Sequence, residues 1–205
     1  MLSAYVLFSF LLFGITIILL YARKSNDAPR TLLVTLGSGG HTGEMISMLS
    51  TLDTRPFGRL VFYVSTGDRL SLTKANELSQ QLGVQQIDIR VIPRARRVKQ
   101  SFWTSPFTSI ISLLSAFLYV AQDKPDLILS NGPGTCVIII AVARLFRLLG
   151  VQHARVVFVE SFARVHNLSL SGKLLLQLRL VDRFLMQWPT DVQVHPKVEN
   201  VGSLI

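Results

Sequence analysis

The chain has 205 residues, of which 49% are hydrophobic and 16% charged, with a formal net charge of +9. That length holds one domain with some extra chain, and the apolar excess is too great for an ordinary soluble protein. The charge would suit nucleic acid or an anionic membrane, but no dense basic stripe interleaved with aromatics runs across the domain, so nucleic acid is set aside as a partner.

The first predicted element is a transmembrane helix over 1–22. Leu2 to Tyr21 carries no charged side chain and is about 20 residues long, enough to cross a bilayer. Arg23, Lys24 and Arg30 follow it, which predicts a cytosolic domain behind the anchor. A cleaved signal peptide needs a basic start and a small-residue cleavage site. Leu20-Tyr21-Ala22-Arg23-Lys24 offers no such site. Residues 23–30 read as a linker. Cys136 is the only cysteine, so no internal disulfide forms, in keeping with a reducing compartment.

Residues 31–188 then alternate. Strands are predicted at Leu32–Leu36, Leu60–Ser65, Gln86–Ile92, Leu127–Ser130, Arg155–Glu160 and Arg183–Trp188. Helices are predicted at Thr42–Asp53, Arg69–Leu82, Pro106–Gln122, Thr135–Leu149 and Ser171–Val181. Near-continuous apolar strands between helices predict an α/β, Rossmann-like parallel sheet with helices on both faces. Residues 189–205 are a mixed tail with an apolar end. It is expected to contact a partner through Val201, Gly202, Leu204 and Ile205, although a frayed terminus would look the same.

In such sheets ligands bind beyond the carboxyl ends of the strands. Three of these ends are distinctive. Gly37-Ser38-Gly39-Gly40-His41-Thr42-Gly43-Glu44 joins the first strand to its helix, and Ser130-Asn131-Gly132-Pro133-Gly134-Thr135 does the same after the fourth. Glu160-Ser161-Phe162-Ala163-Arg164 follows the fifth. Two glycine loops at helix starts offer backbone N–H groups to an anion and suit a diphosphate. Gly132 and Gly134 could equally just close turns. His41 is a cap bonded to a nearby carbonyl, or a general base or phosphate donor. Glu44 could complete a capping arrangement, and Glu160 could cap the next turn.

Arg90, Arg94, Arg96, Arg97 and Lys99 form a cationic cluster, followed by Trp103 and an uncharged stretch from Ser101 to Gln122. Ser, Thr and Pro106 argue against a second span. A core helix behind a solvated charge run competes with a membrane-facing surface made of Arg94, Arg96, Arg97, Lys99 and Trp103, and the surface is preferred.

These three motifs, in this order, resemble the family of asparagine-linked glycosylation protein fourteen over essentially the whole chain. The domain is also similar to the N-terminal, acceptor-binding half of the bacterial peptidoglycan GlcNAc transferase. The resemblance implies the N-terminal half of a GT-B glycosyltransferase, preceded by one transmembrane helix. It implies a two-chain enzyme that transfers N-acetylglucosamine from UDP-GlcNAc to dolichyl-diphosphate-GlcNAc. The anchored subunit sits in the endoplasmic reticulum membrane, domain in the cytosol, and recruits a soluble catalytic partner. Enzymes before and after it in the dolichol pathway are further candidate partners.

His41 and Glu44 are then the candidate catalytic residues. Gly39, Gly40, Thr42, Asn131, Gly132, Gly134, Thr135, Glu160 and Ser161 are the candidate substrate-binding residues. No Asp-x-Asp motif is present, and the family implies no metal or cofactor. A pure membrane scaffold without catalytic residues is the alternative. A self-sufficient nucleotide enzyme fits less well, because Asp68 lies past a glycine turn where a ribose partner would be sought.

Overall fold

A computed structural model describes residues 28–95, 100, 103, 105–132, 134–189 and 198–204, with Gly14 and Thr16. The anchor expected over 1–22 therefore lies outside the described residues except for those two positions. Arg96, Arg97, Lys99 and Ile205 also lie outside them.

The strands are β1 (Thr31–Leu36), β2 (Arg59–Ser65), β3 (Gln86–Ile92), β4 (Leu127–Ser130), β5 (Arg155–Val159), β6 (Arg183–Met186) and β7 (Val198–Asn200). The helices are α1 (Gly40–Thr51), α2 (Arg69–Gln81), α3 (Ser105–Asp123), α4 (Gly134–Leu148) and α5 (Leu170–Gln177). Among the described residues the strands form one sheet in the order β3-β2-β1-β4-β5-β6-β7. Every pairing in it is parallel.

The doubly wound architecture follows from period-2 alternation on strands buried on both faces. Leu33 of β1 joins Val61, Ile128, Ile140, Phe146 and Phe158 in one core. Its neighbours Leu32 and Val34 join Met45, Leu49, Phe62 and Leu78 in the other. Helices α3, α4 and α5 cover the first core, and α1 and α2 cover the second. Each fully buried aliphatic or aromatic side chain contributes about 1.5–3 kcal/mol.

Two elements depart from expectation. β7 lies in the segment read as a tail. Three short pairings, Phe184↔Val198, Leu185↔Glu199 and Met186↔Asn200, add it to β6, and Arg183 Nε donates to Glu199 at 2.9 Å across them. Helix α3 turns a face of small residues inward. Ser112, Ala116, Val120 and Ala121 are buried, because small residues let α3 pack closely on the sheet and α4. The apolar stripe of Phe107, Ile110, Ile111, Leu114 and Leu118 is left exposed. Asp123 at the end of α3 is buried and accepts from Arg59, Arg90 and Tyr63, tying the helix to β2 and β3. Burial first, then the adjacent carboxylate, pushes the Tyr63 hydroxyl well above its ordinary pKa.

Candidate active site at the switch point of the sheet

The chain leaves β1 in one direction along the sheet and returns to the other side of it at β4. Crevices open at such reversals, beyond the strand ends. Here the β1–α1 and β4–α4 loops stand side by side, with the loop after β5 next to them. They border a cleft of about 690 Å³ whose lining includes Ser38, His41, Arg94, Thr135, Ser161 and Arg164.

The β1–α1 loop is held from beneath. Thr42 is fully buried. Its hydroxyl donates to the Gly37 carbonyl and lies 2.5 Å from the Ser71 hydroxyl, while Ser71 Oγ donates to the same carbonyl at 3.3 Å. The Thr42 N–H donates to Gly39 O at 3.2 Å. Thr42 therefore braces the loop with both groups. Gly39 has φ 69° and brings no side chain to cap α1, so the start of that helix is left without a side-chain cap, as suits an anion.

A chain of side-chain hydrogen bonds joins all three loops. His41 Nδ1 lies 2.7 Å from Asn131 Oδ1, and Asn131 Nδ2 donates to Glu44 Oε2 at 2.8 Å. Glu44 also accepts from Ser161 Oγ at 2.8 Å and from the Phe162 N–H at 3.1 Å. Asn131 is fully buried, and both ends of its amide are engaged, so its side chain links His41 to Glu44. Cys136 Sγ, at 3.6 Å, donates to the Asn131 carbonyl. Burial pushes this thiol up, against the hydrogen bonds from Ser130 and Thr35.

Glu160 lines the cleft as well, and its carboxylate is hydrogen-bonded within the fold. It is 2% exposed and accepts from the Ser161 N–H at 3.1 Å and from Ser169 N–H and Oγ at 2.9 Å. Ser169 in turn caps α5 by accepting from the Gly172 N–H, so this helix start is already filled by the chain's own carboxylate. Asp68 caps α2 through the Ser71 N–H, which accounts for it without a ribose. Gly132, Gly134, Thr135 and Ser161 do line the cleft, although the Ser161 hydroxyl is spent on Glu44.

A family model described as "Oligosaccharide biosynthesis protein Alg14 like" matches residues 32–204. The chain belongs to the Alg14 family. It is 42% identical over 209 residues to the UDP-N-acetylglucosamine transferase subunit alg14 of Schizosaccharomyces pombe, covering 98% of each chain. It is 35% identical over 206 residues to the ALG14 subunit of Homo sapiens, covering 96% of this chain and 93% of that one. Among solved structures it is similar in fold to MurG of Acinetobacter baumannii, with a TM-score of 0.59 and 18% identity. The match covers 83% of this chain and 45% of the MurG chain.

In this Alg14-family domain Arg94 lines the cleft and donates from Nε to the Thr66 carbonyl, whereas Trp103 is 90% exposed. A second, smaller groove of about 250 Å³ lies between Thr66, Pro93, Arg94, Thr108 and Ile111. Arg94 is thus shared by the cleft and a groove that reaches Thr108 and Ile111 of α3. Arg164 is the cleft cation not singled out from the sequence; its place at the end of the Glu160–Arg164 motif was the available signal. The tail is stitched back onto the domain. Val201 N–H donates to Met186 O, Leu204 N–H donates to Gln187 Oε1, and the Leu204 side chain packs on the second core. Leu204 is therefore partly buried by its own chain, and Val201 and Gly202 remain exposed.

Proposed function

We propose that this chain is the membrane-anchoring, acceptor-binding subunit of a two-chain UDP-N-acetylglucosamine transferase. It adds the second GlcNAc to dolichyl-diphosphate-GlcNAc on the cytosolic face of the endoplasmic reticulum and holds there a soluble, UDP-GlcNAc-binding subunit. Relatives of nearly the same length are named as subunits of such a transferase. The observation that carries the reading is the cleft at the sheet's switch point, with His41 on one wall and the uncapped start of α1 beside it. The start of α1, the start of α4 and the cations Arg94 and Arg164 suit a diphosphate. His41 then stands at the acceptor hydroxyl, as base or orienting group.

The lipid tail leaves past Arg94 through the smaller groove toward α3. That helix has 19 residues and is apolar enough to cross a bilayer. Its buried small-residue face favours another placement, flat on the domain with the apolar stripe in the interface.

Co-expression of the full chain with its soluble partner in membranes tests the proposal. Transfer from UDP-GlcNAc to dolichyl-diphosphate-GlcNAc is expected only when both chains are present. His41→Ala is expected to abolish transfer and to keep partner capture. Full activity of His41→Ala would remove His41 from the chemistry, and transfer by the partner alone would leave only a scaffold.

A further inference from the structure

We propose that Glu44 and Asn131 are positioning residues that fix the tautomer of His41, leaving Nε2 as the nitrogen that takes the acceptor's proton. The inference rests on the reading of His41 as the group at the acceptor hydroxyl. It assigns Glu44 a supporting place in that chemistry, not a catalytic one.

The assignment starts from a group whose role is fixed. A peptide N–H can only donate, so Glu44 Oε2 accepts from Phe162 N–H. The amide end that shares this oxygen is then the NH2 of Asn131. The opposite end of Asn131, Oδ1, is left for His41 Nδ1 at 2.7 Å. A carbonyl oxygen only accepts, so Nδ1 carries the hydrogen. In the neutral ring the lone pair is therefore on Nε2, and the ring lines the cleft. The orientation of an amide and the tautomer of a histidine follow from the network in this way.

Asn131 passes orientation without passing a proton, since an amide has none to exchange on this path. During transfer Nε2 takes the proton of the acceptor hydroxyl as its oxygen bonds to the anomeric carbon of UDP-GlcNAc. The bond from that carbon to the diphosphate oxygen breaks, and UDP departs with the electron pair. The imidazolium that results keeps its Nδ1–H on Asn131 throughout. Glu44 also gathers Ser161 and Phe162, so the loops that carry the base and the cleft wall share one anchor.

The full chain, labelled with 15N-histidine and bound to its partner in detergent, gives the direct readout. The chain has 4 histidines, and His41→Ala identifies the His41 signals. The expected spectrum shows Nδ1 protonated and Nε2 bare in the neutral ring. Asn131→Leu is expected to move protonation to Nε2 and to lower kcat about 100-fold, within the range of general-base catalysis, with a smaller change in KM. Glu44→Leu does the same by freeing the amide. Glu44→Gln can still accept from Phe162 and Asn131 through its carbonyl, so it is expected to recover most of the kcat lost in Glu44→Leu. Protonated Nε2 in the wild-type chain overturns the proposal, as does a Glu44→Gln loss equal to that of Glu44→Leu. If His41→Ala keeps full transfer while the tautomer is as stated, the functional reading fails and the geometric assignment stands.

Discussion

Gly132 sits against the ring of His41: a Cβ added to the glycine would meet the ring's Cγ at 3.3 Å and Cα of Gly37 at 3.5 Å. The glycine also has φ +122°, a conformation that side chains rarely adopt. Both facts belong to one function, since the second loop must approach closely for Asn131 to reach the imidazole. Gly132→Ala is expected to cost about 1–3 kcal/mol in backbone strain and to displace the ring. Transfer should fall by about 10-fold or more, beyond what the stability loss explains. Initial rates beside thermal unfolding of the same membrane preparation check it. An alanine variant with normal kcat would mean that the ring tolerates the shift.

Gly172 has a different necessity. A Cβ there would lie 2.3 Å from Glu160 Oε2 and 3.0 Å from Phe184 Cζ. Glu160 cannot swing away cheaply, because Ser169 and Ser161 hold both of its oxygens. Gly172→Ala should therefore destabilise the domain by about 1–3 kcal/mol, as overpacking of a filled site does. The variant should keep its KM for acceptor when assayed below its unfolding temperature. A stable Gly172→Ala protein with weakened acceptor binding would instead make Glu160 a ligand.

The backbone architecture was largely legible in the residues, and the hydrogen-bonded site much less so. Gln86–Ile92 and Leu127–Ser130 agree with the sequence reading to the residue, because the alternation of the first and the short apolar run of the second are bounded by turn residues, Gly83 and Pro93 for one and Pro125 and Gly132 for the other. Val198-Glu199-Asn200 has no apolar alternation, and only the neighbouring β6 makes it a strand. Ser112 is polar yet buried, because close packing there favours a small side chain. The loops themselves were found from glycines at strand ends. That Glu44 meets Asn131 across a separation of 87 positions is a matter of tertiary register, which no local pattern encodes. For the same reason the internal hydrogen bonds of Thr42, Asn131 and Glu160 were not legible in the motifs that carry them.

The exposed stripe on α3 makes a prediction about substrate length. Ile110, Leu114 and Leu118 lie one or two helical turns apart, are each more than half exposed, and are not among the residues lining the cleft. Replacing all three by serine should raise the KM for a long dolichyl acceptor several-fold. A short-chain acceptor that stays in solution should be used equally well by both proteins, since only the long chain must be met at the interface. Equal losses with the two acceptors would place the defect in folding, and no loss with either would detach the stripe from the membrane.

Asp182 predicts how the fold responds to acid. Burial tends to raise its carboxyl, but the Val156 N–H at 2.7 Å and the Arg144 and Arg147 guanidinium groups at 2.9 Å hold it below its ordinary value of 3.8. A depressed carboxylate stabilises the fold above its unfolded pKa, and that stability is lost as pH falls through the folded value. Asp182→Asn removes the charge and keeps an acceptor for Val156. At neutral pH the variant should be less stable by about 1 kcal/mol, given the partial exposure of the pair. The gap should narrow as pH drops below about 4, where the wild-type carboxylate takes up its proton. Denaturant unfolding of both full-length proteins in detergent across this range measures it. A gap that stays constant with pH would mean that the ion pairs to α4 contribute nothing and that the hydrogen bond to β5 alone holds Asp182.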